Sequence, residues 1–156
     1  MVIKVTPVKN TDGSLMCPDW KMPQRAHAND VGADVYSPID ITVQPHETVR
    51  ISLGFNVDVP PGCGAFVFPR SGKSSKGLTQ LLPPVDPGYT GSITAITLNT
   101  SDTPFEIRKG DAIGQLVIMP VIIADFCSDL GEERGNHVFG STERLNEMLK
   151  AVNKEG

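Results

Sequence analysis

Apolar residues along this chain come in short runs, and the runs are divided by Gly, Pro, Asn or Asp. Val2, Ile3, Val5 and Val8 mark an opening strand. Further strands are expected at Asp34–Tyr36, Ile39–Val43, Thr48–Leu53, Phe55–Val59, Ala65–Pro69, Ile93–Asn99, Phe105–Ile107 and Ala112–Met119. Segments 39–43 (IDITV) and 93–98 (ITAITL) read as half-buried strands with a two-residue period. Residues 10–24 form a loop with Asp-Gly and two prolines. Helical spacing appears only at 143–153, where Leu145, Met148, Leu149 and Val152 share a face and Ser141 or Thr142 stands ready as a cap. Many short strands without long helices predict an all-β sandwich or barrel. There is no repeat and no linker, so one domain is expected.

Composition narrows the picture. The 156 residues include 15 Gly and 13 Pro, a turn-rich balance without a collagen period. A hydrophobic fraction of 39% with 21% charged residues excludes a disordered polar chain. The net charge of −4 argues against a broad duplex nucleic-acid footprint, yet leaves room for a small polyanion held by a few placed donors. Cys17, Cys63 and Cys127 are odd in number and lack metal spacing, which suits reduced thiols in a cytosol-like compartment. His27, His46 and His137 form no pair with ligand spacing and read as surface residues; His137 alone lies near the segments of interest below. The start, MVIKVTPVKN, does not have the form of a signal peptide. The longest apolar run, Ile113 to Ile123, is interrupted by Gln115 and Pro120 and is too short to span a bilayer.

Five segments carry more constraint than turns require. Residues 28–36 (ANDVGADVY) set Asp30 and Asp34 around Gly32, although a plain turn entering a strand would look the same. Residues 69–77 (PRSGKSSKG) join cations, hydroxyls and glycines after an apolar strand, as either an anion nest or a basic surface loop; the P-loop spacing is absent. Residues 78–91 (LTQLLPPVDPGYTG) place Asp86 in a rigid turn beside the Tyr89 ring. In 110–116 (GDAIGQL), Gln115 interrupts an apolar strand, so its amide either faces solvent or needs partners. Residues 134–142 (RGNHVFGST) combine Arg134, glycines, Phe139 and two hydroxyls, a mix that suits an arm closing on a ligand. Together they supply a base-stacking ring, a sugar-facing ring, phosphate donors and one isolated carboxylate. That is a nucleotide site with a single candidate base.

In order and spacing, these segments resemble the five motifs of the trimeric deoxyuridine triphosphatase (dUTPase) family over residues 22–142. The resemblance implies a distorted, β-clip-like jelly roll assembled as a homotrimer with sites shared between subunits. It divides the chain into a nucleotide-hydrolase domain at 1–133 and a mobile arm at 134–142, while the helical tail at 143–156 is an addition that the family usually lacks. It implies Mg²⁺-assisted hydrolysis of dUTP to dUMP and pyrophosphate, which limits uracil incorporation into DNA. Asp86 would orient the water that attacks the α-phosphorus. Asp34 would reach the metal through water, the ion being held mainly by the triphosphate. Arg70, Ser71 and Gly72 would meet phosphates, Gln115 the α-phosphate and Arg134 the γ-phosphate. Tyr89 would wall the deoxyribose against a 2′-hydroxyl, and Phe139 would stack on uracil, with Gly140, Ser141 and Thr142 completing the arm. Gln80 and Val85 fall in the hairpin that reads the base. The implied setting is cytoplasmic (or nuclear, or an infected cell's cytosol), without membrane or stable nucleic-acid binding.

This chain departs from the family pattern in places. The hairpin between Gly77 and Asp86 is short, Gln80 replaces Asn, and Pro83 replaces Gly and has no N–H to offer. His137-Val138 stands where the arm usually has two glycines. The stretch Asp86-Pro87-Gly88-Tyr89 also resembles the related dCTP deaminases, but the position of their acid/base glutamate is Ile96 here. A nucleotide-gated regulatory trimer with weak catalysis is a further alternative. A ligand-free jelly roll would leave 134–142 unexplained.

Overall fold

The computed structural model describes residues 1–126. Ten strands follow one another: β1 (Val5–Pro7), β2 (Ala33–Tyr36), β3 (Ile41–Val43), β4 (Thr48–Ser52), β5 (Phe55–Val57), β6 (Cys63–Phe68), β7 (Leu78–Leu81), β8 (Thr94–Asn99), β9 (Phe105–Ile107) and β10 (Ala112–Pro120). A single helical turn, α1 (Ser71–Ser74), lies between β6 and β7. All pairings are antiparallel, in the orders β1-β5, β2-β10-β6, β3-β9 and β4-β8-β7. This bears out the all-β jelly-roll expectation. The arm and the helical tail expected beyond residue 133 lie outside the described residues.

The strands form because their alternation gives each sheet one apolar face to bury. In β2 the pattern puts Ala33 and Val35 inside and leaves Asp34 and Tyr36 half-exposed. Val35, Val43, Ile51, Leu53, Phe55, Leu78, Ile93, Ile107 and Ile113 form the centre of one core. Truncating Ile51 to Ala would cost about 2–5 kcal/mol, because so closed a site collapses poorly.

Two of the differences from the sequence expectation have a visible physical cause. Strand β3 starts at Ile41 and not at Ile39, since the Ser37 hydroxyl donates to the Ile39 carbonyl at 2.7 Å and holds 37–39 in a turn. Strand β7 was hidden by polarity: Gln80 is buried there, its amide donating to the Ile113 carbonyl at 2.9 Å and accepting from the Thr97 hydroxyl at 3.0 Å. In β8, Thr97 and Asn99 also point inward, while Ile96 faces the other way. Asn99 is satisfied by the Val43 and Thr103 carbonyls and by Ser101. Among the described residues no buried side-chain nitrogen or oxygen lacks a partner. This core is therefore specified by polar pairing as well as by apolar volume.

Strand β10 is the central strand of its sheet, and it positions the site. Gln115 lies opposite Asp34 on one side and Phe68 on the other. The register shifts between Ala112 and Gly114, a bulge of the kind that re-aims side chains beside functional sites. Among the described residues, Cys17 and Cys63 are free thiols, and no helix is long and apolar enough to cross a membrane.

Candidate active site

The first polar cluster grows from the middle of the β2-β10-β6 sheet. Asp34 and Gln115 are cross-strand partners, so their side chains emerge on the same face. The Gln115 amide nitrogen donates to Asp34 Oδ1 at 3.3 Å. Arg70, two residues past the end of β6, pairs with the same oxygen through Nε at 3.1 Å. Its Nη1 donates to the Ala112 carbonyl at 3.3 Å, beside the bulge. Gly32 makes room for this cluster: a Cβ there would stand 2.7 Å from Gln115 Cβ. The in-chain partners of Gln115 thus decide between its two sequence readings, because the amide is half-buried and engaged.

Arg70, Ser71, Gly72, Lys73, Lys76, Phe105 and Gln115 line a pocket of about 340 Å³. Lys73 lies 5.3 Å above the Phe105 ring and 3.4 Å from Asp111. Lys76 has no ion pair among the described residues. The rim carries more cationic than anionic groups, with hydroxyls from α1 beside them. Such a basin suits an extended anion.

The second pocket, of about 330 Å³, is of another kind. Val67, Leu81, Pro83, Pro84, Val85, Ile93 and Ile96 wall it, with Asp86, Tyr89, Ser92 and Thr94 at its polar edge. Its base is pinned to the core: Val85 and Ala65 exchange backbone hydrogen bonds at 2.8 and 3.0 Å, and Ile93 donates to the Phe55 carbonyl at 2.8 Å. Between those anchors Asp86-Pro87-Gly88-Tyr89 makes a turn, closed by Tyr89 N–H on the Asp86 carbonyl at 3.2 Å and using a positive φ of 81° at Gly88. The Asp86 carboxylate is exposed and makes no hydrogen bond or ion pair among the described residues. It is an acceptor left open for solvent or ligand.

The expected residues therefore fall into two groups. Asp34, Arg70, Ser71, Gly72 and Gln115 come together at the basin. Val85, Asp86 and Tyr89 come together at the hairpin. The two pockets share no lining residue. Gln80 belongs to neither, because both ends of its amide are used inside the sheet. Arg134, Phe139, Gly140, Ser141 and Thr142 lie outside the described residues. Sequence reasoning missed Phe105, whose ring underlies Lys73, and Asn56, which fastens the hairpin. The only signal for Asn56 was a polar residue within the apolar run Phe55–Val57.

The deaminase alternative meets the same geometry. Ile96 lines the pocket beside Asp86, where a proton shuttle would be required. An aliphatic chain cannot perform that step.

The dUTPase family model matches residues 18–143. A deoxyuridine 5′-triphosphate nucleotidohydrolase from Thermobifida fusca is 40% identical over 132 residues, covering 80% of this chain and 74% of the relative. A Staphylococcus bacteriophage 80alpha dUTPase mutant, solved with dUpNHpp, matches with a TM-score of 0.75 at 25% identity, over 90% of this chain and 98% of that one. A mutant dUTPase from phage phi11 of S. aureus, solved with a structural Mg(II) ion, has the same fold, with a TM-score of 0.73 at 23% identity over 85% and 99% of the two chains.

Proposed function

The chain belongs to the dUTPase family, and we propose that it cleaves dUTP to dUMP and pyrophosphate by aiming one water from Asp86 at the α-phosphorus. In this reading the basin takes the triphosphate. Arg70, Ser71 and Gly72 hold phosphate oxygens, and Gln115 donates toward the innermost one. Asp34 keeps Arg70 and Gln115 oriented through Oδ1. The hairpin takes the nucleoside, with Val85 and its neighbours against the base and the Tyr89 ring against the deoxyribose. Asp86 accepts the proton of the attacking water. The new P–O bond forms as the bond to the bridging oxygen breaks, and pyrophosphate leaves. Positioning and charge neutralisation do most of this work, since the phosphoryl centre needs little covalent help.

The donor set fits Mg²⁺ held mainly by substrate. Among the described residues no group of three or more His, Cys, Asp and Glu stands together. Among the described residues, both contacts to the Asp34 carboxylate fall on Oδ1, which leaves Oδ2 for a metal-bound water. When bound, the ion would neutralise part of the triphosphate's roughly four negative charges.

The observation that carries the reading is the division of one nucleotide's chemistry between two pockets: a cationic basin, and an apolar hairpin bearing an open carboxylate beside a ring. A homotrimer that joins the basin of one copy to the hairpin of another makes the site whole. The arm at 134–142 closes it, Arg134 on the γ-phosphate and Phe139 on uracil, with Gly140, Ser141 and Thr142 between arm and substrate. A cytoplasmic setting fits the reduced thiols, and removal of dUTP there limits uracil incorporation into DNA. The test is release of pyrophosphate from dUTP and the four common dNTPs, with and without Mg²⁺. Turnover confined to dUTP and strongest with Mg²⁺ is expected. Ammonia from dCTP, or equal turnover of all five, would overturn the reading.

A further inference from the structure

We propose that Asn56 is a positioning residue that sets discrimination at the sugar by fixing Tyr89; this rests on the function proposed above. Asn56 projects from β5, paired opposite Thr6 of β1, and is half-buried. Its amide nitrogen donates to two carbonyls of the hairpin, Tyr89 at 2.8 Å and Gly91 at 2.6 Å. One NH₂ group thereby holds both sides of residue 90. The Tyr89 hydroxyl turns back to donate to the Ser92 carbonyl at 3.3 Å. Ser92 is in turn anchored by the Gly54 N–H at 2.9 Å and the Ser52 hydroxyl at 2.8 Å. Gly91 must lack a side chain, because a Cβ would run into the Tyr89 hydroxyl. The turn is thus held at two backbone carbonyls and the ring at its hydroxyl.

Steric exclusion of a 2′-hydroxyl works only while the excluding wall cannot retreat. A ring on a loose turn would yield to the extra oxygen. Asn56 removes that freedom, and no other side chain among the described residues donates to the Tyr89 or Gly91 carbonyl.

The measurement is the ratio of kcat/KM for dUTP to that for UTP. Asn56→Ala removes both donors and should lower the ratio about tenfold, the equivalent of roughly one lost hydrogen bond to the turn. Asn56→Asp keeps the shape but sets a carboxylate against two carbonyls, and should lower the ratio at least as much. Its near-isosteric size keeps the test decisive if the alanine variant folds poorly. The loss should come mainly from faster UTP turnover, with KM for dUTP rising only a few-fold. A ratio unchanged within about twofold in both variants, or rates for the two nucleotides falling in equal proportion, would overturn the assignment. A wild-type protein that leaves dUTP intact would remove the parent reading and this one with it, a result visible before any variant is made.

Discussion

The basin and the hairpin hold their functional groups by opposite means. At the basin, side chains hold one another: Asp34, Gln115 and Arg70 meet on one carboxylate oxygen, and the register of three strands brings them there. At the hairpin, backbone and a neighbouring strand hold the loop, while the Asp86 carboxylate has no partner among the described residues. The contrast matches the tasks proposed for the two pockets. Phosphates need a fixed array of donors whose charge is tempered so that it does not repel itself when empty. A water-directing carboxylate must instead keep its acceptor lone pairs for the reactant. Stability and reactivity are thus assigned to different parts of one small core.

The sharpest break of this comparison is Asp86→Asn. It should cut turnover about a thousandfold, within the range of general-base losses, while a non-hydrolysable dUTP analogue still binds. Pyrophosphate release and calorimetry read the two effects separately, and wild-type-like turnover would detach the hairpin from the chemistry. Next, removing residues 134–156 should lower kcat/KM roughly a hundredfold if the arm closes the site as proposed, because its groups and the water exclusion they would bring are lost together. Near-full activity in the shortened chain would leave the two pockets sufficient by themselves.

Arg70→Ala should act differently. It frees Asp34 and removes a proposed phosphate donor, so KM should rise about tenfold or more, with a stability loss of about 1–3 kcal/mol visible in a denaturant melt. A change in kcat alone would mean that the basin does not bind the ground state. The smallest expected effect is on catalysis by Gln80→Leu. This variant strands the Thr97 hydroxyl and the Ile113 carbonyl, so the melting temperature should fall by several degrees. Base selectivity among deoxynucleotides should stay as it is. Loss of selectivity at unchanged stability would return Gln80 to the substrate.

What was legible in the sequence was the part governed by local pattern. The alternation in β8, the short bounded runs of β2 and β4 and the turn residues around Asp86 announced themselves, because pleat and turn chemistry act over a few residues. Strand β7 did not, since Gln80 is buried at a position where an apolar residue is expected. Its partners lie 17 and 33 residues away, and no local rule reports them. The single turn α1 is shorter than any period can reveal. Asp34 and Gln115 were each identified, yet their contact spans 81 residues and emerges only from the register of β10. Asn56 shows the same limit: one polar residue in a short strand, with its meaning held by a loop 33 residues on.

The absence of any shared wall between the two pockets has a consequence for genetics in a test tube. If a working centre borrows its basin from one copy and its hairpin from another, a chain lacking Arg70 and a chain lacking Asp86 are each silent alone. Unfolded together and refolded as a mixture, they should regain measurable hydrolysis, because some mixed assemblies unite an intact half from each parent. Activity per chain should likewise fade on strong dilution, as copies part company and each keeps only half of the machinery.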